Sequence, residues 1–446
     1  MTAGNMMNRI ILIGNGFDLA HGLATSYTDF IRGYYVIQKL GLLEDEYELS
    51  DGLCSVKISS PEDRKIMQNF RWILNNDMFR LTRNLGEITP LEHFDKFFND
   101  NLTYESKFFE AINKAIESKN WVDIESEYYA WLKKIFHQDP CGYSTPEQLN
   151  KDLDLIKIYL TTHLSLVQKE NIKPDLVKDC IRETIYEPFN VRDISVGAQG
   201  LFEEFLAARL KFLSSDDKYE IASFLRRFGQ SLCKTHSDIE LYKKSVQNPS
   251  APDSLDIAKH LKKVNDNQGE VPSCFLLPEQ ILLLNFNYTK MADLYIPEGS
   301  DFEVNHIHGE LENDKDHIIF GYGDELDEDY KRISNLNDNS YLTNIKSIRY
   351  LETDNYRRLL RFIDSASYQI YIMGHSCGNS DRTLLNTLFE HRNCVSIKPC
   401  YYLREDDSDN YIEIIQNISR NFNNMQTMRD RVVNKSYCRP LVSREN

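Results

Sequence analysis

Four short motifs in this sequence combine residue types that can handle a nucleotide. In the first, the apolar run Ile10–Ile13 meets Gly14-Asn15-Gly16-Phe17-Asp18, with His21 and Gly22 just behind. A glycine turn at a strand end lets backbone N–H groups approach a phosphate, and the dipole of a following helix favours its charge. Gly14 and Gly16 open the turn as a dinucleotide fingerprint does, but Leu19 stands at the third glycine position. A tight strand-to-helix turn with Asp18 as its cap is the other reading. The second motif is Asn285-Phe286-Asn287, closing an apolar run. Two amides two residues apart share one face of a strand, at the edge where open α/β sheets bind ligands. An asparagine-rich turn would look the same.

The third motif is Asn305-His306-Ile307-His308-Gly309. A histidine at a strand end titrates near neutrality and suits a general base, which points to His308. Two histidines could also share a metal, but no acidic or cysteine partner stands at ligand spacing, so no metal is expected. The fourth is Gly374-His375-Ser376-Cys377-Gly378. It matches the G-x-S-x-G nucleophile elbow, which needs an acid and then a histidine downstream. The single downstream histidine is His391, about a helix away, so a serine triad does not easily close. The alternative is a small-residue loop around a ribose, with Asp381 capping the next helix.

Strands and helices must hold these motifs in place. Residues 9–13 read as a buried strand, and Thr25 and Ser26 offer cap chemistry for a helix running to about residue 41. Between about 61 and 263 apolar residues recur at three and four spacings, notably over 64–85, 105–119, 122–137, 151–171 and 201–213. Strand signals return at 280–287, 302–308, 317–320, 368–373 and 395–402, with helices at 350–363 and 381–391. Alternating strands and helices imply a mainly parallel sheet. Neither group of strands is large enough to bury a sheet alone. The expected architecture is α/β: residues 1–50 and 276–403 form one Rossmann-like domain, interrupted by an all-helical insertion over 51–275. Residues 404–446 are expected to be helical and peripheral.

Composition limits the function classes. Of 446 residues, 41% are hydrophobic and 27% charged, which excludes wholesale disorder. Lys and Arg number 52 against 68 Asp and Glu, a net charge of -16, so direct binding to nucleic acid or an anionic membrane is not expected. The 9 cysteines form no C-x-x-C pair, which argues against a zinc ribbon and fits a reducing cytoplasm. No run reaches the length of a membrane span, and residues 10–13 are too few for a signal peptide.

Taken in order, the motifs resemble the bacteriophage abortive infection AbiH family. The resemblance rests on residues 14–30, on Phe286-Asn287-Tyr288-Thr289, on His306 to Gly309, on residues 374–381, and on Trp121-Val122-Asp123-Ile124-Glu125 in the helical region. The same order is similar to that of sirtuins and the sirtuin-like NAD hydrolases of antiphage systems. That likeness implies a Rossmann-like sheet with an inserted module and NAD as substrate. Gly14, Gly16 and Gly22 fall on its glycines, Asn287 on its catalytic asparagine and His308 on its catalytic histidine. Gly374 and Ser376 fall on its ribose-side loop, and Asn15, Phe17, Asp18, Asn285 and His375 complete the implied nucleotide site. There are departures. Asp18 replaces a serine, Ala24-Thr25 replace Pro-Asp, Asn285 replaces a threonine and Thr289 an aspartate. The four-cysteine zinc module of deacetylating sirtuins is absent, which counts against deacetylation and leaves NAD cleavage.

The leading expectation is a cytoplasmic NAD-cleaving effector of phage defence. The alternatives are a nucleotide-binding sensor or scaffold without turnover, and a serine hydrolase built on Ser376. A homo-oligomer or a partner protein of a defence system would fit either of the first two.

Overall fold

Eight strands are found among the described residues: β1 (Met7–Ile13), β2 (Glu48–Ser50), β3 (Cys54–Lys57), β4 (Leu102–Tyr104), β5 (Ile281–Asn285), β6 (Glu303–His306), β7 (Ser367–Met373) and β8 (Cys394–Cys400). The structure, a computed structural model, describes residues 6–33, 48–62, 64–65, 101–119, 123–213, 227–228 and 276–443. Five of the strands form one sheet in the order β6-β5-β1-β7-β8, and every pair is parallel. Every residue of β1 is buried, as a strand covered on both faces requires. Ile11 lies opposite Leu283 on one side and Tyr371 on the other. The chain thus bridges a long excursion to return to its first strand. It steps outward from β1 to β5 and β6, then crosses to the far side for β7 and β8. That reversal between β1 and β7 is the switch point of an open α/β sheet.

The sheet is a Rossmann-like α/β layer because alternate side chains feed two different cores. Ile11, Ile13, Leu283, Tyr371 and Met373 pack against helices Asp179–Ile185 and Gln199–Leu213. Ile10, Leu12, Leu284, Ile370 and Ile372 pack against helices Asn355–Ser365, Arg382–Glu390 and Tyr411–Arg420. A third core joins helices Lys107–Lys119, Ile124–Phe136 and Pro146–Asn171 to Leu311, Phe320 and Tyr322 from the segment after β6.

The structure departs from the sequence reading in three places. The region read as all-helical, 51–275, also holds β3 and β4, which with β2 just before it form an antiparallel sheet β2-β3-β4 whose strands of three or four residues are too short to show a period. Residues 317–320 form no strand, although Ile319 N–H donates to His308 O at 2.8 Å. The segment beyond 403 is helical but not peripheral: Ile414, Ile418 and Phe422 are buried on the sheet face, and Val433 N–H donates to Ile397 O in β8. The helix expected over 64–85 lies outside the described residues from 66 on, with residues 64 and 65 helical, and Trp121 and Val122 lie outside them as well. No described helix is long and apolar enough to cross a membrane.

Candidate functional site

The loops after β1 and β7 meet at the switch point, and their glycines are what lets them meet. Gly14 N–H donates to Met373 O at 3.3 Å and Gly16 N–H to Gly374 O at 2.9 Å. A Cβ on Gly14 would lie 2.6 Å from His375 Cα, and one on Gly16 would lie 2.9 Å from Gly374 Cα. Gly374 has φ +75°, and a Cβ there would overlap the backbone N of Phe17. The two loops therefore cross backbone against backbone, in a space that side chains would fill.

The residues singled out around the first loop are distributed unevenly. Asn15 is exposed and accepts from Thr25 Oγ1 at 2.7 Å. Phe17 is wholly buried, 4.7 Å from the His21 ring, and belongs to the core. His21 is 2.7 Å from Phe17 O and 2.6 Å from the Tyr295 hydroxyl, and burial lowers its pKa to about 4. Gly22 takes φ +74° with open space around it, as a turn residue does. Asp18 is buried and accepts from Thr289 Oγ1 at 2.6 Å. Burial pushes its carboxyl up to about 7, against the pull of that hydrogen bond.

Asn285 and Asn287 shape the turn after β5. Asn285 Nδ2 donates to Thr289 O at 3.0 Å, and Asn285 Oδ1 accepts from Asn287 N at 3.1 Å. Asn287 Nδ2 reaches across to Gly14 O at 3.1 Å, stitching this turn to the glycine loop. His306 lies 3.2 Å from Asn285 Nδ2 and 3.1 Å from Asp293 Oδ2.

His308 belongs to a second network. Its Nε2 is 3.2 Å from Asp381 Oδ1 and 3.1 Å from the Tyr350 hydroxyl, and it is 4% exposed. Gly309 holds this position at φ +83°, where a Cβ would overlap His317 O in the passing chain. Asp381 Oδ1 also pairs with Lys346 Nζ at 2.8 Å, and Lys346 Nζ pairs with Glu125 Oε2 at 2.7 Å. His375 Nδ1 accepts from Cys377 N at 2.9 Å, which leaves Nε2 facing Asp381 Oδ2 at 3.5 Å. Phe286 packs its ring 5.1 Å from His308 and 4.1 Å from His375. No hydrogen bond among the described residues joins Asn287 to His308.

The charges follow from this packing. Burial, and then the Lys346 ammonium, lower His308 to about 4, so its imidazole is neutral through the physiological range. Burial alone would raise Asp381, but Lys346 and His308 outweigh it and hold that carboxyl well below its usual range. Burial and the neighbouring Asp381 raise Glu125, with Lys346 opposing them. Lys346 itself is raised: burial works against its charge, and Asp381 and Glu125 overcome that. Asp381 occupies the cap position of helix Arg382–Glu390, yet its side chain makes no cap hydrogen bond. It serves the cluster instead.

Ser376 is exposed. His391 is 3.4 Å from Asp364, and both nitrogens of His375 face partners other than the serine. Among the described residues no group of three or more His, Cys, Asp or Glu side chains is placed to hold a metal ion. Sequence reasoning missed Lys346 and Tyr350 outright. Nothing in the pattern of residues 344–350 marks a lysine that is 1% exposed. Glu125 had one signal, its place in the Trp121–Glu125 stretch.

Residues 10–402 match the family described as Bacteriophage abortive infection AbiH. The chain belongs to this family. No curated protein and no solved structure matches it. AbiH membership points to a role in abortive infection by phage. It covers both halves of the sheet and the helices between them, so the crossing loops and the Glu125–Lys346–Asp381–His308 cluster all lie within the matched span.

Proposed function

We propose that this AbiH protein is an NAD-cleaving effector, which depletes the nucleotide on infection. The observation that carries the reading is the position of His308, neutral and hydrogen-bonded to Asp381, beyond the strand ends beside a β1/β7 switch point. Ligands of open α/β sheets bind at that edge. In the reaction water adds to the nicotinamide ribose carbon as the bond to nicotinamide breaks. Nicotinamide leaves neutral, ADP-ribose is formed and one proton is released. The transition state has oxocarbenium character and needs orientation and a base more than a strong acid. His308 Nε2 donates to Asp381, which leaves Nδ1 as the atom to take the proton. Asn287 donates through Nδ2 to Gly14 O, and its amide oxygen is the group to orient water or a ribose hydroxyl. NAD would lie along Asn15, Gly16, Asp18 and Asn285 on one side and Gly374 to Ser376 on the other.

One observation favours a second reading, a nucleotide sensor without turnover. Asn287 and His308 share no hydrogen bond among the described residues: Asn287 Nδ2 donates to Gly14 O, and His308 Nε2 faces Asp381 and the Tyr350 hydroxyl. The purified protein mixed with NAD separates the two. Equimolar nicotinamide and ADP-ribose support the effector; NAD bound but recovered intact supports the sensor. Loss of activity in Ser376→Ala, with His308→Ala unaffected, would instead favour hydrolysis by the serine.

A further inference from the structure

Two buried carboxylates from distant parts of the chain share one buried ammonium. Glu125 opens helix Ile124–Phe136, and Asp381 precedes helix Arg382–Glu390 under β7 and β8. Lys346 Nζ lies 2.7 Å from Glu125 Oε2 and 2.8 Å from Asp381 Oδ1, and the same Oδ1 faces His308 Nε2 at 3.2 Å. The second oxygen of Glu125 accepts from Gly321 N at 3.0 Å. The first turn of the helix is thus fixed to the segment after β6, with Asp123 capping it through the N–H groups of Glu125 and Ser126. An ion triad this deep is costly to assemble and adds little net stability over apolar packing, while breaking one arm leaves an uncompensated charge.

We propose that Lys346 is a positioning residue that couples the docking of helix Ile124–Phe136, through Glu125, to the hydrogen bond between Asp381 and His308. When the helix is docked, Lys346 is divided between two carboxylates. When it lifts, Glu125 goes with it and Lys346 belongs to Asp381 alone, which weakens the claim of that carboxylate on His308. The helical region could in this way set the state of the base without touching substrate. Among the described residues, the groups that face His308 are Lys346 and Tyr350 from one short segment, His375 and Asp381 from the loop after β7, and the uncharged Phe286 ring from the turn after β5, while Asp123, Tyr27 and Tyr288 face the two carboxylates. The inference rests on the proposed role of His308 as base, but its test needs no substrate.

The experiment is an NMR titration of carbon-labelled histidine in the whole protein, with the His308 signal assigned by His308→Gln. In Lys346→Met the ammonium is gone and Asp381 remains, so the His308 pKa is expected to rise by about one pH unit or more. In Glu125→Gln it should stay at or below the parent value. Lys346→Met alone leaves two buried carboxylates unpaired and could fail to fold. The double variant Glu125→Gln/Lys346→Met keeps one carboxylate, should be more stable than the single, and should show the same rise. Asp381→Asn tests the reverse direction, since coupling is reciprocal: Lys346 then belongs to Glu125 alone, and amide exchange in helix Ile124–Phe136 should slow down. A His308 pKa unmoved in both lysine variants, or exchange in that helix unchanged in Asp381→Asn, overturns the coupling. A shifted His308 in a protein that releases no nicotinamide upholds the coupling and rejects NAD cleavage.

Discussion

At the scale of single residues, the two buried acids near the switch point are opposite cases. Asp381 has a lysine and a histidine to meet its charge, whereas Asp18 has one hydroxyl, and its Oδ1 is buried without a hydrogen bond. Because the folded-state pKa of Asp18 is raised, to about 7, the native chain holds a proton that the unfolded chain has lost. Stability from this group is full below the unfolded pKa and falls as pH rises towards about 7, at a cost on the order of 4 kcal/mol. Asp18→Asn has no such loss, so in urea melts its margin over the parent should widen between pH 5 and pH 8; a constant margin would contradict the burial argument. For turnover, His308→Ala should lower nicotinamide release by about a hundredfold or more, the usual scale for losing a positioned base. His306→Ala removes a contact to half-exposed Asp293 and should keep most activity. The motif pattern made His308, Asn287 and the glycines legible. It could not show that Lys346 answers Glu125 from 221 residues away, because that pairing exists only after folding.

At the scale of elements, β1, β5 and β7 were readable because each is an apolar run stopped by Gly or Asn. The strand expected over 317–320 was not formed, since that chain passes beside Gly309 and gives its one clear backbone hydrogen bond to His308 O. The crossing of the β1 and β7 loops makes a prediction about glycines with similar backbone angles. Gly22→Ala meets open space at φ +74° and should cost about 1 kcal/mol, the price of a left-handed residue alone. Gly374→Ala at φ +75° also drives a Cβ into the Phe17 backbone and should cost clearly more, or prevent folding. Denaturant midpoints of the two variants check this, and equal losses would mean that the loops separate easily.

At the scale of the whole molecule, one sheet holds the chain together. Ile11 pairs with Leu283 across the long excursion, and the last helices complete a layer that the sequence reading had set apart. Residues 404–446 were expected to be peripheral, but Ile414, Ile418 and Phe422 are buried in the core against the β8 side of the sheet. Burial of each is worth roughly 1.5–3 kcal/mol. A chain truncated after residue 403 should therefore be insoluble or melt well below the parent, and a truncation with unchanged thermal unfolding would contradict the packing described. The central claim is that a nucleotide occupies the crevice where the β1 and β7 loops cross. Hydrogen exchange of the intact protein with and without NAD tests it most directly. The account predicts that NAD slows exchange in residues 14–26, 285–289 and 374–381. Protection confined to other segments, or none at saturating NAD, would contradict it.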